Sequence, residues 1–238
     1  MLNIAHRGFK SKFPENTKIA FEKAIDVDAD GVEFDVHLTK DREVVIIHDE
    51  RLERTSDGKG LVKDFTLSEL KKLNMSKLYD NVKTQEILTL REYFQMVKDL
   101  DFITNVELKN SIYDYEGIEK EVNNIIKEFD LERRVIISSF NHDSIIRFKN
   151  LNDRIKCGLL VDCKLYKPWE YMKKMEVEYY HPSAYLVDEE LVYNLKNEGV
   201  LVNVWFGNEP HSFKRLINLD INGIITDYPD EINKILKD

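Results

Sequence analysis

Short apolar, β-branched runs alternate with amphipathic segments along the whole 238-residue chain. This alternation is typical of strand–helix units that build a parallel sheet. Counted from Leu2, there are about eight such units, the number that closes a (β/α)8 barrel. The predicted fold class is therefore α/β, a (β/α)8 barrel formed by one domain over residues 1–238.

The predicted elements follow from hydrophobic spacing. A first strand ends at His6, and Asn16 is predicted to cap the next helix, whose apolar face contains Ala20 and Phe21. Residues 50–86 are polar and rich in turn-forming residues, so they are expected to be a small insertion after the second strand region. Later strands are predicted at 102–109, 135–139, 156–161, 178–181, 201–205 and 223–226.

Composition limits the classes of partner. The chain carries 35 Lys and Arg against 44 Asp and Glu, a formal charge of −9, which disfavours non-specific binding to nucleic acid or to an anionic membrane surface. The N-terminus shows no signal-peptide pattern, and no apolar run reaches the roughly 20 residues of a membrane span. We expect a cytoplasmic protein without stable membrane association, as a monomer or a homodimer.

The stretch Gly31-Val-Glu-Phe-Asp-Val-His37 places two carboxylates on one face of a strand. Alternate side chains of a strand share a face, so Glu33, Asp35 and His37 lie opposite three apolar residues. Two adjacent carboxylates are costly to bury unless a positive charge lies between them. The alternative is an antiparallel strand with one solvated face.

Ionisable residues recur where the predicted strands end, at the edge where barrels collect functional groups. Three carboxylates, Glu33, Asp35 and Glu107, form an oxygen-rich set that suits Mg²⁺ or Ca²⁺. Arg7 and Lys109 are suited to phosphate oxygens. His6 and His48 can serve as base and acid near neutral pH, and cleaving a phosphodiester needs both.

The sequence resembles the glycerophosphodiester phosphodiesterases. The shared motifs run in the family's order along nearly the whole chain: His6-Arg7-Gly8, Pro14-Glu15-Asn16-Thr17, Glu33-Phe34-Asp35-Val36, Leu38-Thr39-Lys40-Asp41, His48-Asp49, Arg54-Thr55, Glu107-Leu108-Lys109, Ser139-Phe140-Asn141, Val204-Trp205 and Thr226-Asp227-Tyr228-Pro229. One departure, Phe206-Gly207 after Trp205, lies beside the expected substrate entrance and bears on which alcohol is preferred.

The resemblance implies a TIM barrel that uses a divalent cation to hydrolyse glycerophosphodiesters to an alcohol and sn-glycerol 3-phosphate. It implies that His6 and His48 are the acid/base pair and that the glycerol 2-hydroxyl attacks first, giving a cyclic phosphate that water opens. Glu33, Asp35 and Glu107 would hold the metal, and Arg7 and Lys109 the phosphate.

Weaker candidates surround this set. Phe140 and Trp205 are expected to line the glycerol pocket or the core, and Asn16 to contact substrate as well as to cap a helix. Asp49 is expected to orient His48. Structural roles are expected for His37, His142 and His211. His181 is a candidate for the pocket rim.

Two other functions remain open from the sequence. One is a lysophospholipase-D-like enzyme with the same site, which would need an apolar entrance or a membrane-docking element. The other is a non-catalytic barrel that binds phosphate esters, since a fold alone does not determine a function.

Overall fold

The computed structural model of the protein describes residues 1–205 and 213–237. Phe206, Gly207 and His211, on which the sequence raised expectations, lie outside the described residues.

Eight parallel strands close into a barrel, with β1 paired to both β2 and β10. Two short strands, β3 and β4, extend β2 by antiparallel pairing. The predicted (β/α)8 barrel is confirmed. The strands are β1 (Leu2–His6), β2 (Gly31–Leu38), β3 (Val44–Ile46), β4 (Leu88–Thr89), β5 (Ile103–Leu108), β6 (Val135–Ser139), β7 (Lys156–Val161), β8 (Tyr179–Pro182), β9 (Leu201–Trp205) and β10 (Gly223–Thr226).

Helices follow the barrel strands in the order that the alternation predicts. They are α1 (Lys18–Asp26), α2 (Leu67–Leu70), α3 (Leu90–Val97), α4 (Ile118–Glu128), α5 (His142–Leu151), α6 (Pro168–Met175), α7 (Glu189–Asn197), α8 (Phe213–Ile217) and α9 (Pro229–Lys237). Short 3₁₀ turns occur at Val62–Asp64 and Ala184–Leu186. Helix α2 belongs to the segment 50–86, and the other helices surround the barrel.

The N-cap of α1 differs from the prediction. Thr17 caps this helix, with its side chain accepting a hydrogen bond from the backbone N–H of Ala20. Asn16 precedes the cap in a left-handed conformation, with φ 58°, and its side-chain amide donates to Asp35 instead. The prediction that Asn16 caps α1 is therefore wrong, because its side chain is engaged by a barrel strand.

Strand β2 is buried along its whole length. Its apolar residues point outward to the surrounding helices, where the rings of Phe21, Phe34 and Tyr93 lie 4.6 to 5.5 Å apart. Both barrel neighbours, β1 and β5, run parallel to it. The alternative of an antiparallel strand with a solvated face is wrong, and the carboxylates of β2 point into the barrel.

The segment 50–86 covers a second, smaller apolar cluster. Its members come from β3, the segment and the approach to β4: Val45, Ile47, Leu52, Val62, Leu70, Met75 and Ile87. This segment, although polar and rich in turn-forming residues, thus covers a small group of buried apolar side chains. Within residues 1–205 and 213–237, no helix combines the length and apolar character that crossing a bilayer requires.

The barrel interior below the carboxylates is polar. Asn105 donates to Ser138 at 2.8 Å, and the amide of Asn203 lies 3.4 Å from Nε2 of His181. The imidazole of His181 fits because position 158 is glycine: a Cβ there would lie 2.8 Å from the ring. His181 is fully buried, so the prediction that it lies at a pocket rim is wrong.

We expect His181→Gln to lose less stability than the wild type when the pH is lowered. Burial lowers the pKa of His181 to about 3 from 6.5, so below about pH 6.5 the unfolded chain binds a proton that the folded chain excludes. Between pH 7.5 and pH 5, protonation of His181 in the unfolded chain lowers the free energy of unfolding of the wild type by about 2 kcal/mol. Glutamine does not titrate and has no such effect. Urea unfolding at both pH values measures the difference, and equal losses in the two proteins would contradict it.

Candidate active site

Strand register brings the candidate residues together at the carboxyl end of the barrel. His6, the last residue of β1, pairs with Glu33 of β2. Two residues further along β2, Asp35 pairs with Glu107 of β5. Neighbouring parallel strands therefore place these four side chains at adjacent positions of one rim.

Glu33, Asp35 and Glu107 form a buried carboxylate cluster in which one oxygen of each lies within 4.8 Å of the others. Among the residues that the structure describes, Glu33 Oε2 and Asp35 Oδ1 find no hydrogen-bond partner. Burial, followed by repulsion from Asp35 and Glu107, raises the pKa of Glu33 well above its ordinary value. Three hard oxygen donors, two of them with unused capacity, fit a divalent cation.

Two cations flank this carboxylate cluster. Lys109 Nζ lies 2.9 Å from Glu107 and 3.6 Å from Asp35, and Arg7 Nε lies 3.3 Å from Asp35. Although burial alone would raise the pKa of the Asp35 carboxyl, the charges of Arg7 and Lys109 hold it far below its ordinary value. Asp35 therefore stays ionised within the cluster.

The backbone at Arg7 is unusual. Arg7 adopts a left-handed conformation with φ 55°, which costs a non-glycine residue on the order of 1 kcal/mol. Its N–H donates to the carbonyl of Glu33, and its own carbonyl accepts from Asn16. Gly8 follows at φ 78°, where a Cβ would lie 2.7 Å from the backbone of Ala20. This tight turn directs the Arg7 side chain back over β2.

Each candidate catalytic histidine binds a carboxylate through Nδ1. His48 contacts Asp49 at 2.5 Å, and His6 contacts Asp227 at 2.5 Å. A carboxylate at Nδ1 fixes the proton on that nitrogen. Lys109 Nζ lies 3.2 Å from Nε2 of His48, in position to donate to it, and Nε2 of His6 lies 3.8 Å from Glu33. In both rings Nε2 is the nitrogen left for a substrate, which at His48 would take the place of Lys109.

His37 supports the site from beneath. Its Nε2 lies 3.1 Å from the carbonyl oxygen of His48, and its Nδ1 lies 2.9 Å from the hydroxyl of Tyr115. Burial lowers the pKa of His37 to about 4, so the ring is neutral at physiological pH. His37 therefore fixes the backbone of His48.

A cavity of about 220 Å³ opens over these groups. His6, His48, Arg7 and Lys109 all line it. Its apolar wall consists of Phe140, Leu160, Trp205 and Ile225. The rings of Phe140 and Trp205 meet edge to face with centroids 6.1 Å apart. Asn16 does not appear in the lining and contacts Asp35 behind it.

Comparison with known proteins assigns the family. Residues 6–231 match the model of the "Glycerophosphoryl diester phosphodiesterase family". The chain belongs to this family. It is 43% identical over 237 residues to a glycerophosphodiester phosphodiesterase of Caldanaerobacter subterraneus, covering 99% of this chain and 98% of the relative.

Solved structures of glycerophosphodiester phosphodiesterases have the same fold. The enzyme from Thermotoga maritima is 31% identical, with a TM-score of 0.79 and coverage of 99% of this chain and 98% of the other. A phosphodiesterase from Oleispira antarctica, solved with the product sn-glycerol-3-phosphate, is 28% identical, with a TM-score of 0.85 and coverage of 99% and 96%.

Two residues of the candidate site, Asp227 and Glu15, were given no role from the sequence, although both lie in motifs that carry the family resemblance. Asp227 follows β10 and holds His6 across 221 positions of sequence, with Lys10 on its other oxygen at 3.1 Å. Glu15 pairs with Arg7 at 2.9 Å. Asp227 follows a predicted strand end, as the other site residues do, so its position was the available signal. Glu15 precedes a helix, so its motif was the available signal.

We expect divalent cations to raise the thermal unfolding midpoint of the protein. A ligand at 100 times its Kd that binds only the folded state adds about 2.7 kcal/mol, or roughly 5–10 °C for a chain of this size. Asp35→Asn should abolish the shift produced by MgCl₂ or CaCl₂, measured by scanning calorimetry. Glu119→Gln is the control, since Glu119 is a buried carboxylate outside the cluster, paired with Arg147. Equal shifts in both variants would place the cation elsewhere.

Proposed function

We propose that the protein hydrolyses glycerophosphodiesters to an alcohol and sn-glycerol 3-phosphate, using Mg²⁺ or Ca²⁺. The observation that carries the proposal is that His6 and His48, each with a carboxylate at Nδ1, line one cavity beside the buried carboxylates. Two imidazoles with available Nε2 atoms provide the base and the acid that phosphodiester cleavage needs.

The cations of the site would bind the phosphate. Arg7 and Lys109 line the cavity with side chains only 12% and 14% exposed, so a phosphate oxygen would meet them away from bulk water, where charge interactions are stronger. A divalent cation held by Glu33, Asp35 and Glu107 would supply further positive charge to the phosphate oxygens. Phe140 and Trp205 offer an apolar wall for the carbon skeleton of the glycerol.

In the first half of the proposed reaction, one histidine Nε2 takes the proton of the glycerol 2-hydroxyl, whose oxygen attacks phosphorus. The bond from phosphorus to the alcohol oxygen breaks, and the second histidine protonates that oxygen. The product is a cyclic glycerol phosphate. In the second half the roles reverse: water loses a proton to the second histidine, its oxygen attacks phosphorus, and the first histidine returns a proton to the 2-hydroxyl oxygen.

We expect His6→Ala and His48→Ala each to lower kcat about 10²- to 10⁴-fold, since each removes one proton-transfer group. The assay measures sn-glycerol 3-phosphate and phosphocholine released from glycerophosphocholine, with Mg²⁺, with Ca²⁺ and with EDTA. The wild type should release sn-glycerol 3-phosphate without phosphocholine, and EDTA should stop it. His142→Ala is the matched control, because His142 contacts Tyr171 and the backbone of Leu160. Wild-type turnover by either variant would contradict the roles.

A substrate whose alcohol is 4-nitrophenol assigns the two roles. This alcohol leaves without protonation, so the variant that lacks the acid of the first half should recover single-turnover release of 4-nitrophenol, while the variant that lacks the base should not.

Two further outcomes would replace the proposal. Choline release from lysophosphatidylcholine alone would indicate a lysophospholipase-D-like enzyme, and calorimetric binding of glycerophosphocholine without turnover would indicate a binding barrel.

A further inference from the structure

Arg54 lies in the segment 50–86 and has no role in the proposed reaction. Its guanidinium binds two carboxylates at once. Nε and Nη2 donate to Asp49 at 2.6 and 3.0 Å, and Nη1 and Nη2 donate to Glu15 at 2.8 Å each. Both carboxylates are held by two donors, the geometry in which arginine binds carboxylates most firmly.

Each of these carboxylates also holds a residue of the site. Asp49 Oδ1 lies 2.5 Å from Nδ1 of His48, and Glu15 Oε1 lies 2.9 Å from Nη1 of Arg7. Hydrogen-bond donors and carboxylate acceptors therefore alternate along an unbroken chain of contacts from His48 through Asp49, Arg54 and Glu15 to Arg7. Arg54 is the central member and the one contributed by the segment 50–86.

The charges of this chain depend on one another. Burial alone would raise the pKa of Glu15, but hydrogen bonds from Arg54 and the charge of Arg7 lower it to about 2. Hydrogen bonds from His48 and Arg54 likewise hold the pKa of Asp49 below its ordinary value against the effect of burial. Both carboxylates are ionised at neutral pH, and without Arg54 they would face each other with less compensation.

We propose that Arg54 is a positioning residue that fixes His48 and Arg7 in one arrangement, an inference that rests on the proposed function of this site. The two ends of the chain depend on it unequally. Glu15 is 10% exposed and would keep Arg7 as a partner, whereas Asp49 is 29% exposed and would keep only the imidazole. Loss of Arg54 thus frees Asp49 to turn toward water, and His48 loses its orientation before Arg7 does.

The variant Arg54→Ala should lower kcat 10- to 100-fold, the usual effect of removing a group that orients a ligating or reacting side chain. KM should change less than about threefold, because Arg7 keeps Glu15 and Asp35 as partners and Lys109 lies outside this chain of contacts. Arg54→Lys should not restore kcat, since one ammonium cannot donate in pairs to two carboxylates. Arg51→Ala is the matched control: Arg51 lies in the same segment and pairs with Glu53. It should keep wild-type kcat.

Added guanidinium at millimolar concentration should raise the kcat of Arg54→Ala in a saturable way and leave Arg51→Ala and His48→Ala unchanged. A loss that is purely structural would show no such rescue. An Arg54→Ala variant with kcat within twofold of wild type, or with a reduced kcat that guanidinium does not raise, would overturn the proposal.

A second measurement separates this inference from the proposed function. The ¹H and ¹⁵N chemical shifts of the Nδ1–H group of His48 report its hydrogen bond to Asp49, with or without turnover. The wild type and Arg51→Ala should show the downfield proton of a short hydrogen bond to a carboxylate, and in Arg54→Ala this proton should move upfield. If the wild type proves inactive on every substrate, the proposed function fails while this measurement still decides the role of Arg54; unchanged shifts in Arg54→Ala would overturn it.

Discussion

Three carboxylates enclosed by one barrel set the conditions for the rest of the site. Glu33, Asp35 and Glu107 bring their oxygens within 4.8 Å of one another, where like charges repel strongly in a medium less polar than water. Arg7 and Lys109 offset two of the three negative charges and leave one. This excess agrees with the raised pKa values that burial and mutual repulsion give Glu33 and Glu107. A divalent cation held by the cluster would offset this excess.

The barrel makes this arrangement possible by the way β2 divides its two faces. Outward, Phe34 packs against Phe21 and Tyr93 and fixes the strand to α1 and α3. Inward, the same strand directs Glu33 and Asp35 to the axis, where β5 brings Glu107 into register with Asp35. The stability of the outer layer thus offsets the cost of an acidic interior. Folding and chemistry depend on opposite faces of one strand.

The sequence predicted the elements whose cause is local. The alternation of apolar runs placed strands such as Val135–Ser139 and Gly223–Thr226 at their observed bounds. Side-chain partners set by tertiary contacts were harder to foresee. Asn16 has the right residue type to cap α1, yet Asp35 of a barrel strand engages it and leaves the cap to Thr17. Asp227 reaches His6 only because the barrel closes β1 onto β10.

The two histidines are held by different parts of the fold. His6 is held by Asp227, whose side chain is 9% exposed and which is also bound by Lys10, so closure of the barrel itself fixes this imidazole. His48 is held by its sequence neighbour Asp49, which is 29% exposed and is fixed by Arg54 of the segment 50–86. Of the two proton-transfer groups of the proposed reaction, one is therefore held by the closed sheet and the other by the segment 50–86. In the proposed reaction, substitutions in this segment would act on His48 before His6, since only His48 is held through Asp49 and Arg54.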